Sequence, residues 1–583
     1  MSNLKYRSDV ARELAIQRNI LPTTRSYHTE LYTSQWKIAS MAAASKVIPE
    51  LEKAGAGDTN LLLVLLCFLG NSILPLDLLS RGTAPRKRWN DHGGIEDMDV
   101  LHYGVSYELF RICSSPTKLG SILSRLQSFS AISKVSEQTF KLDNSLPAAV
   151  IGTIPIEFHP FWRLQALTIA CHSIPWKYLE PPYRILLTRP INVEKLTVTR
   201  PFNMELFLLH IRYTLQEAQN HKVFENMSPA VKTDIALSII EASRFPGMEW
   251  KQFAISQSKE ILSSVQDNYV QSCIAQRESV LHRITSSTDQ LFRPLENSQH
   301  ETVPGHVSKK LHSGSGHGAI QRALDHIQVE ELTNAAEVLA AWEPISPPSS
   351  MEIVVLFRKH IIMGKIERYR GNFKESLAHL MISINLVNDY KDIVFLEDSS
   401  DLVCSLADIY LELEDPVAAE RCLRNEIAQR RTGSVTLLRL TLAESLFAQD
   451  RQFDAQVICN EIKSLPKLLR MEKLRLSIIL AKLAHINAKY NEALGYWTEA
   501  LTSISRYNLT TGQSTRIILL SMCDVLRQAR NLDTGIESQN QLRTQEQLRS
   551  IEDLTGPTGV FYWIGGLRHW LRYLESINNC SHV

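Results

Sequence analysis

Few residues in this chain have the types and spacing that chemistry needs. Two acidic stretches, Ile-Glu-Asp-Met-Asp at 95–99 and Leu-Glu-Asp-Ser-Ser-Asp at 396–401, hold carboxylates able to bind a cation. Neither has a neighbouring histidine or a second carboxylate motif, so both read as solvated loops. His-Ser-Gly-Ser-Gly-His-Gly at 312–318 spaces its glycines G-x-G-x-G. A dinucleotide fingerprint needs G-x-G-x-x-G between a strand and a helix, and this stretch reads as flexible linker. The basic run Arg86-Lys87-Arg88 has the composition of a nuclear address or a phosphate contact. It is short and alone, and reads as a solvated charged loop. His159 and His210 stand singly in apolar surroundings, as hydrogen-bonded core or boundary residues do. No G-x-S-x-G, H-E-x-x-H or clustered Cys/His motif occurs. The sequence therefore assigns no catalytic, metal-binding or cofactor-binding residue, and no cofactor.

Composition sets the frame for these residues. The 583 residues carry 63 basic and 62 acidic side chains, a net charge of +1. That balance gives no electrostatic reason for nucleic-acid or membrane-surface binding. The nine cysteines are scattered and never form C-x-x-C, which fits a reducing compartment. A cytoplasmic location follows, with the basic run leaving the nucleus open. The most apolar run, Leu61 to Leu69, is about half the roughly 20 residues a membrane span needs, so it reads as a buried helix.

The elements then fall into five stretches. Residues 1–59 read as an N-terminal helical segment. Residues 60–160 give a short buried helix, a turn, and a second short helix from Pro75 to Gly82. A polar interruption follows, then the helix Thr117–Ile132 with Leu119, Ile122, Leu123 and Leu126 at helical spacing, then a β-prone stretch at 133–143. Three helices and a hairpin are the order of a winged-helix-like domain. Residues 161–285 read as a helical domain, 286–318 as a flexible linker, and 319–575 as tetratricopeptide-like helical repeats. The fold class is all-α, a winged-helix-like and helical N-terminal half followed by a tetratricopeptide-like α-solenoid.

Four turns carry the repeat. Their aligned apolar residues are Phe373, Val417, Phe453 and Tyr490, spaced by 44 (417 − 373), 36 (453 − 417) and 37 (490 − 453). The helix-pair repeat has a period of about 34. Ala493 and Ala500, like Ser376 and Ser383, place small residues two turns apart, where paired helices approach closely.

The stretch Asn60–Gly82 resembles the start of the winged-helix region of fungal STAND NTPases. Those proteins carry a nucleotide-binding domain, a winged helix and tetratricopeptide repeats. Their Ile-Pro-x-Asp/Glu-Leu-Leu signature is similar to Ile73-Leu74-Pro75-Leu76-Asp77-Leu78-Leu79, with Leu74 as an extra residue. His159 with Trp162, and the Leu-rich helix around His210, are similar to later landmarks of the family, and the likeness extends over residues 30–545. No G-x-x-x-x-G-K-[S/T] occurs in the 583 residues. The resemblance thus implies the winged-helix and repeat part of such a protein without its NTPase domain, and no bound nucleotide.

The function these observations imply is a non-enzymatic interaction scaffold or regulatory adaptor. It would hold a protein or peptide partner in the repeat groove through exposed residues of the first helices: Lys365, Arg368, Tyr369, Tyr410 and Lys489. Two other classes stand beside it. One is an accessory protein or unrecognised enzyme of a fungal secondary-metabolite pathway, which the family resemblance alone suggests. The other is a transcriptional regulator reading DNA through Lys118, Arg125 and Gln127 of the third helix.

Overall fold

The computed structural model describes residues 57–70, 73–180, 203–245, 247–263, 267–285, 308–328, 331–396, 398–429, 435–466, 468–505, 513–531, 544–546, 549 and 564–580. The helices expected over 1–56 lie outside them. The fold is all-α, with five short strands among the described residues. The chain forms two compact units, the first comprising Met1–Ala84, Val100–Ser173 and Phe202–Asn226 and the second the remainder.

The first unit is built round α1 (Gly57–Leu69), whose Leu62, Leu63, Leu65, Leu66 and Leu69 are all buried. A helix apolar on every side must be enclosed on every side. Accordingly α1 packs against five other helices of its unit. Among the described residues no helix is long and apolar enough to cross a membrane. Gly70 ends α1 at φ +97°, and a Cβ there would lie 2.7 Å from the Tyr213 ring. After it come β1 (Leu74–Pro75) and α2 (Leu76–Thr83). The strands β2 (Arg86–Trp89) and β3 (Ile95–Met98) follow in sequence but belong to the second unit.

The first unit resumes with α3 (Tyr107–Cys113) and α4 (Pro116–Ser128). The Ser106 and Ser115 hydroxyls cap them by accepting from the Leu109 and Lys118 N–H groups. Next are β4 (Ile132–Ser136) and β5 (Thr139–Leu142), which pair antiparallel, with β1 on the far side of β5. Leu119, Ile122, Leu123 and Leu126 form the buried stripe of α4. Completing the unit are α5 (Leu146–Thr153), α6 (His159–His172) and α7 (Asn203–Asn220).

In the second unit the polar stretch 86–98 is an antiparallel hairpin, not a solvated loop. Arg86 and Arg88 face inward. Arg86 Nη1 lies 2.6 Å from Glu180 Oε2, and Arg88 Nε donates to Asp234 Oδ1 at 3.1 Å with its guanidinium 4.3 Å from the Trp176 ring centre. Partners 94 and 146 residues away are invisible to a local reading. Asp398, also expected in a solvated loop, instead accepts from Lys177 Nζ at 2.8 Å and Tyr178 Oη at 2.6 Å.

Three helices come next, α8 (Pro229–Ala242), α9 (Met248–Leu262) and α10 (Asn268–Thr285). The linker expected over 286–318 fails where it can be checked: residues 309–318 open the helix α11 (Lys309–Gln328), while 286–307 lie outside the described residues. The glycines that suggested a linker permit contact. A Cβ on Gly316 would lie 2.5 Å from Trp342 Cε2, and Trp342 Nε1 donates to the His312 carbonyl at 3.1 Å. A short α12 (Leu332–Ala340) covers the same apolar cluster.

The rest is four helix pairs: α13 (Ser350–Arg370) with α14 (Phe373–Asp389), α15 (Ser399–Glu412) with α16 (Pro416–Gln429), α17 (Thr436–Phe447) with α18 (Gln452–Lys463), and α19 (Arg470–Ile486) with α20 (Tyr490–Ser505). Each first helix packs on its own partner and on the first helix of the next pair, the arrangement of an α-solenoid. After them come α21 (Gln513–Asn531) and α22 (Leu567–Cys580). A capping box of Ser349 and Glu352 opens α13, and Gly371 in the left-handed region closes it.

The repeat alignment has the correct turns but slips by one residue in two of them. The second helices begin at Phe373, Pro416, Gln452 and Tyr490, so Pro416 and Gln452 take the places given to Val417 and Phe453. One helical residue is a rotation of about 100°. Val417 and Phe453 accordingly point outward, 53% and 81% exposed, while Phe373 is buried. The column that recurs with full burial is the small one, Ser376, Ala419, Ala455 and Ala493.

Candidate functional site

The first helices of the repeats carry charges on a face that is not solvated. In α15, Asp408 and Glu412 are four residues apart and so lie on one side. Thr441 and Glu444 of α17, Arg475, Lys482 and His485 of α19, and Ser521 and Asp524 of α21 continue that side. All are buried. Together these helices line a groove along the repeats.

Buried charges persist only when paired. Arg475 grips both oxygens of Asp408, Nη1 to Oδ1 at 2.9 Å and Nη2 to Oδ2 at 2.6 Å, and donates to Thr441 Oγ1 at 3.2 Å. Arg368 of α13 reaches the same carboxylate from the previous pair, at 2.9 Å. Lys482 forms an ion pair with Glu444. His485 Nε2 lies 2.9 Å from Asp524 Oδ2. Burial opposes the charge on Arg475, but Asp408 beside it more than offsets this and raises its pKa above the ordinary value. Burial pushes the Glu412 carboxyl up to about 7, against the pull of the Gly566 N–H, Arg368 and Lys482.

The groove is filled by the chain itself. Gly565 and Gly566, followed by α22, lie along it. The Gly566 N–H donates to Glu412 Oε1 at 2.9 Å, and its carbonyl accepts from Lys482 Nζ at 3.2 Å. Carboxylates at the start of a helix complement its dipole, and Asp408, Glu412 and Glu444 surround the start of α22. A Cβ at Gly565 would fall 2.5 Å from Asp408 Oδ1, and one at Gly566 2.3 Å from Glu444 Oε1; Gly566 also has φ +80°. From α22, Leu567, Trp570 and Leu574 descend at i, i+3 and i+7 into the apolar floor, all buried. Trp570 Nε1 donates to Ser521 Oγ at 2.8 Å, and the ring meets Phe447, His485, Trp497 and Tyr573.

Asp408, Glu444 and Asp524 each lie against a basic side chain. Among the described residues no group of three or more His, Cys, Asp or Glu side chains is placed to hold a metal.

Of the five residues expected to face a partner, only Arg368 belongs to this site, and as a buried ion-paired residue instead of an exposed one. Tyr369 is buried too, against α11 and α12. Long side chains on a helix with both neighbours packed against it fold under those neighbours, which the local sequence does not show. Lys365 is half-buried. Tyr410 is half-buried between two apolar clusters, and Lys489 is exposed in the turn between α19 and α20. The residues missed were Asp408, Glu412, Glu444, Arg475, Lys482, Gly565, Gly566 and Trp570. A signal existed: charges inside otherwise apolar helices, and a Gly-Gly pair ahead of a strongly amphipathic stretch.

In the first unit, His210 lies against two carbonyls, Nδ1 2.8 Å from Leu69 O and Nε2 3.1 Å from Ile73 O. Burial lowers its pKa, against the pull of both carbonyls. His159 Nε2 lies 3.0 Å from Ile154 O. On α4, the helix expected to read DNA, Lys118 forms an ion pair with Asp58 at 2.6 Å.

No known protein family matches this chain, and no curated protein matches it. Among solved structures, it is similar to a signal transduction ATPase with numerous domains (STAND) from Pyrococcus horikoshii that bears a tetratricopeptide repeat sensor, at 11% identity and a TM-score of 0.36. The match covers 86% of this chain and 65% of that protein's length.

Proposed function

We propose that the protein is a scaffold or regulatory adaptor whose α-solenoid holds a helical segment of a protein partner. The observation that carries this is the groove along α15, α17, α19 and α21, which accommodates a helix through i, i+3 and i+7 anchors and buried polar contacts. Amphipathic helices bind such grooves in this way. The order α1, β1, α2, α3, α4, β4, β5 and the sheet order β1-β5-β4 support reading the first unit as a winged helix. The motifs at Ile73–Leu79, His159 with Trp162 and His210 support descent from a STAND protein, here without a phosphate-binding motif.

The test is cross-linking mass spectrometry on the intact protein in its native cell. A partner cross-linked to repeat lysines such as Lys365, Lys473 or Lys489 is the expected result. Cross-links confined to residues 57–226, or nucleic acid recovered in place of protein, would overturn the scaffold reading in favour of a winged-helix regulator.

A further inference from the structure

We propose that the groove is an exchangeable receptor for a partner helix that opens with two glycines and carries the pattern Gly-Gly-Φ-x-x-Trp-x-x-x-Φ, Φ being apolar, and that residues 564–580 are its occupant in cis. This deepens the scaffold reading and rests on it.

Three observations define the ligand. The first is backbone readout. Glu412 accepts the Gly566 N–H while Lys482 donates to the Gly566 carbonyl, so both polar groups of one peptide residue are held by side chains from two different repeats. Only glycine leaves room for this, because a Cβ at either position would enter a carboxylate. The second is the anchor stripe. Leu567, Trp570 and Leu574 are the buried residues of α22 among the described side chains, and the Trp570 indole is fixed by Ser521. A tryptophan in a closed apolar pocket with its N–H bonded is a typical dominant anchor of an interface. The third is charge. The Asp408 and Glu444 carboxylates lie at the start of the helix, where the positive end of its dipole lies, so the groove selects the direction in which the ligand enters.

The fit in cis is incomplete. Glu412 Oε2, Trp497 Nε1 and His569 Nδ1 are buried without a protein hydrogen-bond partner while 564–580 occupies the groove. Buried polar groups left unmatched weaken the state that contains them. A helix with the same anchors and a donor near Glu412 Oε2 competes on better terms than the chain's own segment. The groove is therefore a site whose resident ligand can be replaced.

The test uses the full chain carrying Gly566→Val, which disables its own segment, and a fluorescent peptide of residues 564–580 as probe. The peptide is expected to bind this variant at least tenfold more tightly than the unaltered chain. A peptide carrying Gly566→Val itself is expected not to bind. Folding of the variant is checked by circular dichroism. A second measurement needs no variant: excess isotopically labelled peptide is added to the unaltered chain, and hydrogen exchange is read in the chain's own 564–580. Faster exchange there supports replacement. A folded variant that ignores the peptide overturns the proposal, as does exchange that stays constant under excess peptide. If either negative result is accompanied by a partner cross-linked to the repeats, the scaffold reading stands and this groove is not the partner's seat. Failure of the cross-linking alone removes the scaffold reading and leaves a groove that recognises only its own chain.

Discussion

Asp408 is the residue on which the groove chemistry turns. It holds two guanidiniums, from Arg368 and Arg475, both buried. Removing one partner of a buried pair strands the other charge, at a cost of about 3–5 kcal/mol. Asp408→Asn is expected to lower the urea midpoint by that order, with little change in the slope of the transition. A loss under about 1 kcal/mol would mean that the arginines re-pair or reach water. Glu412 four residues on gives the site a pH dependence. The groups facing it are Arg368 from α13, Asp408 on its own helix, Lys482 from α19 and the Gly566 N–H. Its carboxyl titrates near 7 when the groove is filled, against an ordinary 4.5. A raised pKa means that the folded state holds the proton more tightly. Its contribution is complete below about 4.5 and is lost as pH climbs through about 7. The unfolding midpoint is therefore expected to fall between pH 5 and 8 more steeply in the unaltered protein than in Glu412→Gln. Parallel curves would show that Glu412 ionises freely in the groove.

At the scale of elements, the helices and their turns were legible because apolar periodicity is local. The slip of the repeat register shows the limit of that signal. Choosing the nearest apolar residue, Val417 or Phe453, ignores the small residues that set how closely two helices pack. Substitutions separate the two readings. Phe453→Lys replaces a side chain 81% exposed and is expected to change stability by no more than about 0.5 kcal/mol. Ala455→Leu forces a branched side chain between α17 and α18 and is expected to cost about 1–3 kcal/mol in thermal unfolding. The reverse order of effects would restore the apolar alignment. The hairpin β2–β3 and helix α11 were illegible for a different reason. Their polar and small residues take meaning only from partners such as Asp234 for Arg88 or Trp342 for Gly316, and those contacts come from other parts of the sequence. The buried charges of α15 and α19 share that property. One residue of the groove, Arg368, was named from sequence, and it was expected on the surface.

At the scale of the whole molecule, the consequence of α22 is cooperativity within the repeat unit. In a stack of helix pairs each pair touches mainly its neighbours, so stability is close to a sum of local terms and the stack can open from one end; here Arg475 of the fourth pair already reaches Asp408 of the second. A helix that lies across α15, α17, α19 and α21 adds contacts between pairs that are not adjacent. Gly566 alone joins Glu412 of the second pair to Lys482 of the fourth, and Trp570 joins Phe447 of the third to Ser521 of α21. Opening either end must break this shared set. Trp570→Ala removes the largest anchor and is expected to cost about 3–5 kcal/mol. Its more telling effect concerns the shape of the transition. With the tie weakened, the inner faces of α15 to α21 are expected to lose hydrogen-exchange protection at different denaturant concentrations, and the apparent slope of unfolding should fall, as it does when a two-state unit divides. Phe453→Ala, on the outer surface, serves as the control and should leave the slope unchanged. If Trp570→Ala lowers the midpoint but the four pairs still open together at the original slope, the cooperativity belongs to the pair interfaces and α22 is only a passenger in the groove.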